Sequence, residues 1–332
     1  MKFILLLRPL NLLIIALTMY MTKMYIVEAV LTGSFLFENI GEIYEIPANY
    51  ELNFFILVLM MVFLAAGGNI INDYFDVRAD RINKPNRTYI DYHVNRKTAI
   101  VSHFIFNGLA MILSIYLWFA AENYRFFLFA LLIAALLWIY SAFLKRRFLV
   151  GNLSIAMLTG IVPYITYLYF LPILNQFEFT SLDFTLKDHT FKLIPMTDTI
   201  VFVGIFSVLA FLINFVREII KDIMDIRGDR RVNSKTMPIV IGVSATKIIT
   251  SLLILLIITV FSFPIAMWPQ IVGIPVVFIP FLVMIVLLVT TLVLLILARE
   301  TSKYKYASIT LKIAMLYGLF LPMIINSGVN EL

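Results

Sequence analysis

FILVLMMVFLAAGGNIINDYFDVRAD, residues 55–80, decides how this chain is read. Residues 55–71 carry no charge, whereas residues 72–80 hold Asp73, Asp76, Arg78 and Asp80. An uncharged apolar run of roughly 20 residues is long enough to cross a bilayer as a helix. The span predicted here covers 52–71, and the acids begin where it ends.

Composition extends that reading to the whole chain. Of the 332 residues 62% are hydrophobic and 14% charged, with a mean hydropathy of +0.97. A soluble domain is about half apolar and a quarter charged. Eight further runs meet the same criterion, so the nine predicted spans lie near 10–31, 52–71, 99–119, 126–143, 150–171, 199–219, 245–267, 272–297 and 306–326. Pro163, Pro264, Pro275, Pro280 and Pro322 fall within some of these runs, which membrane helices tolerate. The first 20 residues carry Arg8 and Asn11 with no small-residue cleavage site after them. They read as a first span, not a removable leader. The expected fold is an all-α membrane protein with nine transmembrane helices, one domain over 1–332.

The loops set the orientation. With the N-terminus inside, all but four of the 26 Lys and Arg fall on the cytoplasmic side, the exceptions being Lys23, Arg125, Lys187 and Lys192. That bias follows the positive-inside rule. It accounts for the net charge of +6 without nucleic acid as a partner. The segment 172–198 then becomes an outer-loop insertion, a small hairpin or an interfacial flap. The stretch 32–51, with Glu38, Glu42, Glu45 and Glu51, is also an outer loop.

A second acidic stretch, DIMDIRGD at 222–229, matches the first. Asp222, Asp225 and Asp229 repeat the spacing of Asp73, Asp76 and Asp80 at a constant offset of 149, which also pairs Arg78 with Arg227 and Arg81 with Arg230. Steps of three and seven residues nearly complete whole helical turns, so each triplet forms one stripe. One such cluster is equally well a solvated loop. Two with identical spacing, each at a span end on the same side, point to a site.

Stripes of three carboxylates repel one another and call for a counter-charge. With no Cys and only His93, His103 and His189, a metal here has oxygen ligands, which favours Mg²⁺. Two facing stripes suit ions that bridge to phosphate oxygens. Asn72 adds a neutral oxygen or an amide donor. Arg78, Lys84, Arg87, Arg217, Lys221, Arg227 and Arg230 could neutralise the rest of a diphosphate.

On these residues the chain resembles the UbiA superfamily of intramembrane prenyltransferases, with motifs of the form NDxxDxxxD and DxxDxxxD. Within it the chain looks most like the archaeal-type digeranylgeranylglyceryl phosphate synthases. The matching strings run from Arg8-Pro9-Leu10-Asn11 through Gly68-Asn69, Asp80-Arg81-Ile82-Asn83-Lys84-Pro85, Tyr140-Ser141 with Lys145, Gly151-Asn152 and Arg217-Glu218-Ile219-Ile220-Lys221-Asp222 to Lys312. Departures occur at Thr88–Tyr92, where the family has a Pro-Ile-Pro-Ser-Gly-like run, and at Met224 and Arg227, where acids are usual. The insertion at 172–198 is also longer.

The resemblance implies nine helices around a central cavity with cytoplasmic Asp-rich caps. It implies transfer of a prenyl group from a polyprenyl diphosphate to a lipophilic acceptor of the glycerophosphate kind, within membrane lipid and with no obligate protein partner. An aromatic acceptor of quinone or haem side-chain synthesis is the alternative enzyme. A non-enzymatic transporter or lipid-binding membrane protein is a third reading, disfavoured because the acids sit at the rim of the spans and not at mid-membrane.

The implied catalytic set is Asn72, Asp73, Asp76, Asp222 and Asp225. The four aspartates bind Mg²⁺, and Asp80 and Asp229 complete that shell. Arg78, Lys84, Arg87, Lys145, Arg217 and Lys221 contact substrate, supported by Asn152. Lys312 either contacts an anionic group or snorkels to the interface. Tyr140, Tyr164 and Tyr167 are expected to pack, as is His103, and His93 to lie in a loop.

Overall fold

The computed structural model describes residues 2–32, 49–83, 88–175, 182–186, 189–193, 195–267 and 275–329. Among them nine helices are long and apolar enough to cross a membrane. The helices in chain order are α1 (Lys2–Leu6), α2 (Pro9–Thr22), α3 (Glu28–Thr32), α4 (Tyr50–Asn83), α5 (Arg96–Ala120), α6 (Arg125–Ala142), α7 (Val150–Leu174), α8 (Pro195–Arg231), α9 (Met237–Val240), α10 (Gly242–Met267), α11 (Pro275–Leu297) and α12 (Tyr304–Val329). A π-helical stretch, Lys23–Val27, joins α2 to α3, so the first span runs Pro9–Val30. Two strands, β1 (Leu182–Leu186) and β2 (His189–Leu193), pair antiparallel with Leu182 opposite Leu193. The predicted 172–198 insertion thus includes a hairpin, while its two edges belong to α7 and α8.

Helices α4 and α8 run on past their predicted spans, which end at 71 and 219, to Asn83 and Arg231. A hydropathy window finds where apolar character stops, and neither tail contains a proline to stop the helix itself. Their 34 and 37 residues reach about 50 and 55 Å, well beyond a hydrocarbon layer of about 30 Å. The acidic triplets therefore stand on helix extensions, as their spacing predicts.

Packing divides into two apolar clusters. One gathers Phe54, Leu57 and Met60 of α4, Leu117 of α5, Phe126 of α6 and Phe170 of α7, all essentially inaccessible. The other joins Val216 and Ile220 of α8 to Ile254 of α10, Met284 and Leu288 of α11 and Leu311 of α12. Helix α8 takes part in both, because Val203 lies in the first cluster. Outward-facing Phe104, Ile112, Phe119, Leu131, Leu252 and Ile296 are exposed, as expected where lipid replaces water as the solvent.

Close helix contact fixes α4 just before its acids. A methyl group at Gly67 would lie 2.8 Å from the Asn107 side chain of α5, and one at Gly68 2.9 Å from Leu137 of α6. At the other end of the bundle Lys23 is buried between Glu28 and Glu51, 2.8 Å from each, and the Tyr50 hydroxyl donates to Glu28. Burial of a lysine demands such partners. This network ties the first span to the start of α4.

Candidate active site

The two acidic stripes line one cavity of about 520 Å³ at the end of the bundle where α4 and α8 project. Asp73, Asp76 and Asp80 contribute one wall, and Asp222, Asp225 and Asp229 another. Asn72, Lys145, Asn152, Arg217, Lys221 and Lys312 also reach it. Lys312 reaches the cavity from α12. Tyr140 lines the cavity too, while Tyr164 and Tyr167 stack on each other elsewhere.

Cations from distant parts of the chain neutralise the α4 stripe. The Arg8 guanidinium donates to Asp73 and the Lys145 ammonium to Asp76. Lys145 also donates to Asn72 Oδ1 at 3.1 Å. Both cations lie on short irregular segments. Arg8 takes a left-handed conformation (φ 55°) directly before Pro9. Lys145 sits in the single turn Leu144–Arg146, between α6 and α7. Burial opposes the Lys145 charge, but the Asp76 carboxylate outweighs it and holds the ammonium above the ordinary lysine value. Gly151 packs against this turn, since a methyl group there would meet the Lys145 backbone at 2.7 Å.

The α8 stripe is held differently. Asp222 accepts a hydrogen bond from Asn152 Nδ2 of α7 at 2.8 Å. Arg217 and Lys221 grip the buried Glu218 at 2.7 and 2.9 Å. Both cations still border the cavity, beside the first acid of the stripe.

One residue assigned to substrate stands elsewhere. Arg78 is exposed and lines a neighbouring pocket of about 390 Å³ with Arg96, Arg146 and Arg231. It lies two residues past Asp76, about 200° around the helix, so it faces away from the acids. This corrects its expected place beside the diphosphate. Lys84 and Arg87 lie outside the described residues. Arg227 and Arg230 are exposed and do not border the cavity. His103 is buried with Nδ1 2.9 Å from the Gly67 carbonyl oxygen, a structural partner as expected. Sequence reasoning gave no role to Arg8, Asn11, Asn83 or Glu218, all of which line the cavity. The only signal for them was their presence in the quoted strings.

The donor set suits a hard cation. No His or Cys borders the cavity, and its ligating atoms are carboxylate and amide oxygens. Among the described residues no three acidic side chains close into a ready-made metal cage. A Mg²⁺ ion fits this dispersed arrangement, because it keeps several waters and takes one or two carboxylates together with substrate phosphates. Arg8 and Lys145 now satisfy the carboxylates to which such an ion would bind.

The fold and the cavity define an integral, multi-pass membrane protein with an acidic, oxygen-rich site at one end of its helix bundle. The chain belongs to the UbiA prenyltransferase family, which it matches over residues 42–316. It is 33% identical over 192 residues to a digeranylgeranylglyceryl phosphate synthase of Thermococcus sibiricus, covering 58% of this chain and 57% of that one. It is 35% identical over 206 residues to the synthase of Thermococcus gammatolerans, covering 61% and 62%. The chain thus matches about three-fifths of the length of these curated relatives. Among solved structures, one described as giving insights into digeranylgeranylglyceryl phosphate synthase in membranes superposes with a TM-score of 0.62 at 21% identity, covering 100% of this chain and 98% of the other. A UbiA homologue from Archaeoglobus fulgidus bound to GPP and Mg²⁺ superposes with a TM-score of 0.50 at 14% identity, covering 97% and 100%. At these identities the structures establish the shared fold.

Proposed function

We propose that this chain is a Mg²⁺-dependent intramembrane prenyltransferase acting at the cytoplasmic face, with its N-terminus inside. It moves a polyprenyl group from its diphosphate to a geranylgeranylglyceryl phosphate or similar glycerophosphate. The observation that carries the reading is the convergence of both acidic stripes on one cavity that Arg8, Lys145, Lys221 and Lys312 also border. The names of the two Thermococcus relatives support the acceptor class.

In this reading Asp73, Asp76, Asp222 and Asp225 hold Mg²⁺, with Asp80 and Asp229 completing the shell. The bound ions supply charge neutralisation for the departing pyrophosphate. Lys145, Lys221 and Arg217 donate to diphosphate oxygens once they are released from their present carboxylate partners. Arg8 is placed to do the same. Asn72 and Asn152 orient the acids beside them. The C–O bond from the prenyl C1 to the diphosphate breaks, pyrophosphate leaves with the electron pair, and the acceptor hydroxyl oxygen bonds to C1 with loss of its proton. Tyr140 borders the cavity, and an aromatic ring there suits developing positive charge on the prenyl carbon.

Purified protein in detergent, given geranylgeranyl diphosphate and geranylgeranylglyceryl phosphate, is expected to release pyrophosphate and form an ether only when Mg²⁺ is present. Turnover confined to a hydroxylated aromatic acid would overturn the acceptor assignment while leaving prenyl transfer intact.

A further inference from the structure

The tails of α4 and α8 are joined by one side chain. Asn83, the last residue of α4, donates from Nδ2 to the Asp225 carbonyl of α8 at 2.9 Å, and its Oδ1 accepts from the Gly228 N–H at 2.8 Å. Both partners are main-chain groups lying between the second and third acids of the α8 stripe. In an unbroken helix such groups serve the i to i−4 ladder, and a side chain inserted there bends the helix or fixes its local geometry. The approach also requires a glycine. A methyl group on buried Gly228 would collide with the Asn83 amide and lie 2.7 Å from the Ala79 carbonyl oxygen, one residue before Asp80.

We propose that Asn83 is a positioning residue for the metal–diphosphate centre, a two-point pin that sets the separation of the two acidic stripes. The inference rests on the proposed function of the cavity. Two observations support it. The pin grips backbone, so its geometry does not depend on which rotamer a neighbouring side chain adopts. It also lies three residues past Asp80, and its two contacts on α8 are Asp225 itself and Gly228, the residue before Asp229. Metal bridging demands that carboxylates on separate helices keep a fixed spacing, and a shift of about 1 Å costs on the order of 100-fold in rate.

The side chain's chemistry is specific to this role. Aspartate in place of Asn83 keeps the acceptor for Gly228 but sets a carboxylate oxygen against the Asp225 carbonyl. Alanine removes both bonds.

The test compares wild type, Asn83→Ala and Asn83→Asp by two readouts. The first is the Mg²⁺ dependence of prenyl transfer. Both variants are expected to lose on the order of 10- to 100-fold in kcat and to need several-fold more Mg²⁺ for half-activation, while KM for the prenyl diphosphate at saturating Mg²⁺ moves by less than about threefold. The second is independent of turnover. The chain has no cysteine, so single cysteines introduced at the exposed positions Ile82 and Arg230 carry spin labels without background. Their distance distribution is expected to broaden in both variants when neither metal nor substrate is added. An unchanged distribution, or a kcat loss with no change in Mg²⁺ half-activation, would overturn the pin. Wild type that transfers no prenyl group under any Mg²⁺ concentration would overturn the functional reading instead, and the spin-label distances would still judge the pin.

Discussion

The two acidic stripes share a spacing but not a setting. On α4, Asp73 and Asp76 each meet a cation brought from another part of the chain, Arg8 and Lys145. On α8, Asp222 meets the neutral amide of Asn152, and the nearby Arg217 and Lys221 are paired with Glu218. A repeat in sequence therefore does not make a symmetric site. The first stripe carries its counter-charge within the protein, and the head of the second shares its surroundings with another carboxylate.

Removing one acid from each stripe should separate them most. Asp222→Asn is expected to lower kcat on the order of 100- to 1,000-fold. Asp73→Asn should cost less, because it frees Arg8 to donate to the diphosphate. Equal losses in steady-state assays at saturating Mg²⁺ would break the comparison. A smaller effect is expected for Lys145→Met, on the order of tenfold, since it leaves Asp76 without its partner. Raising Mg²⁺ should recover part of that loss, because a divalent cation can take up the exposed carboxylate. No recovery across a Mg²⁺ titration would show that Lys145 does more than balance charge. The smallest change belongs to Asn152→Ala. Loss of the one amide hydrogen bond that orients the Asp222 carboxylate should lower kcat roughly fivefold, with no rescue by Mg²⁺.

Much of this arrangement is legible in the sequence because it rests on periodicity. Apolar run length marks the spans, and the three-then-four spacing places the acids on helix stripes. Lys221 follows from its charge beside the second stripe and Lys145, Asn152 and Lys312 only from resemblance, yet all four border the cavity. What escaped has a physical cause in each case. Arg8 meets Asp73 across 65 residues of chain through a left-handed backbone turn, and no local pattern encodes such a contact. Asn83 acts on main-chain atoms, which leave no complementary residue type to find. For Arg78, charge and nearness to the acids in sequence suggest a diphosphate contact, whereas its angle around the helix does not. That angle was available from the sequence and points it to the arginine-lined pocket.

The length of α4 and α8 has a consequence for how the reaction ends. Helices of about 50 Å or more lift the acids clear of the hydrocarbon while their lower turns stay within it. A reaction at that height sits on the boundary between two solvents. In the proposed reaction one product is a polyanion and the other a larger lipid than either substrate, so each would partition into a different phase as soon as the bond has moved. On that reading release requires no shared exit, and the boundary itself opposes back-reaction.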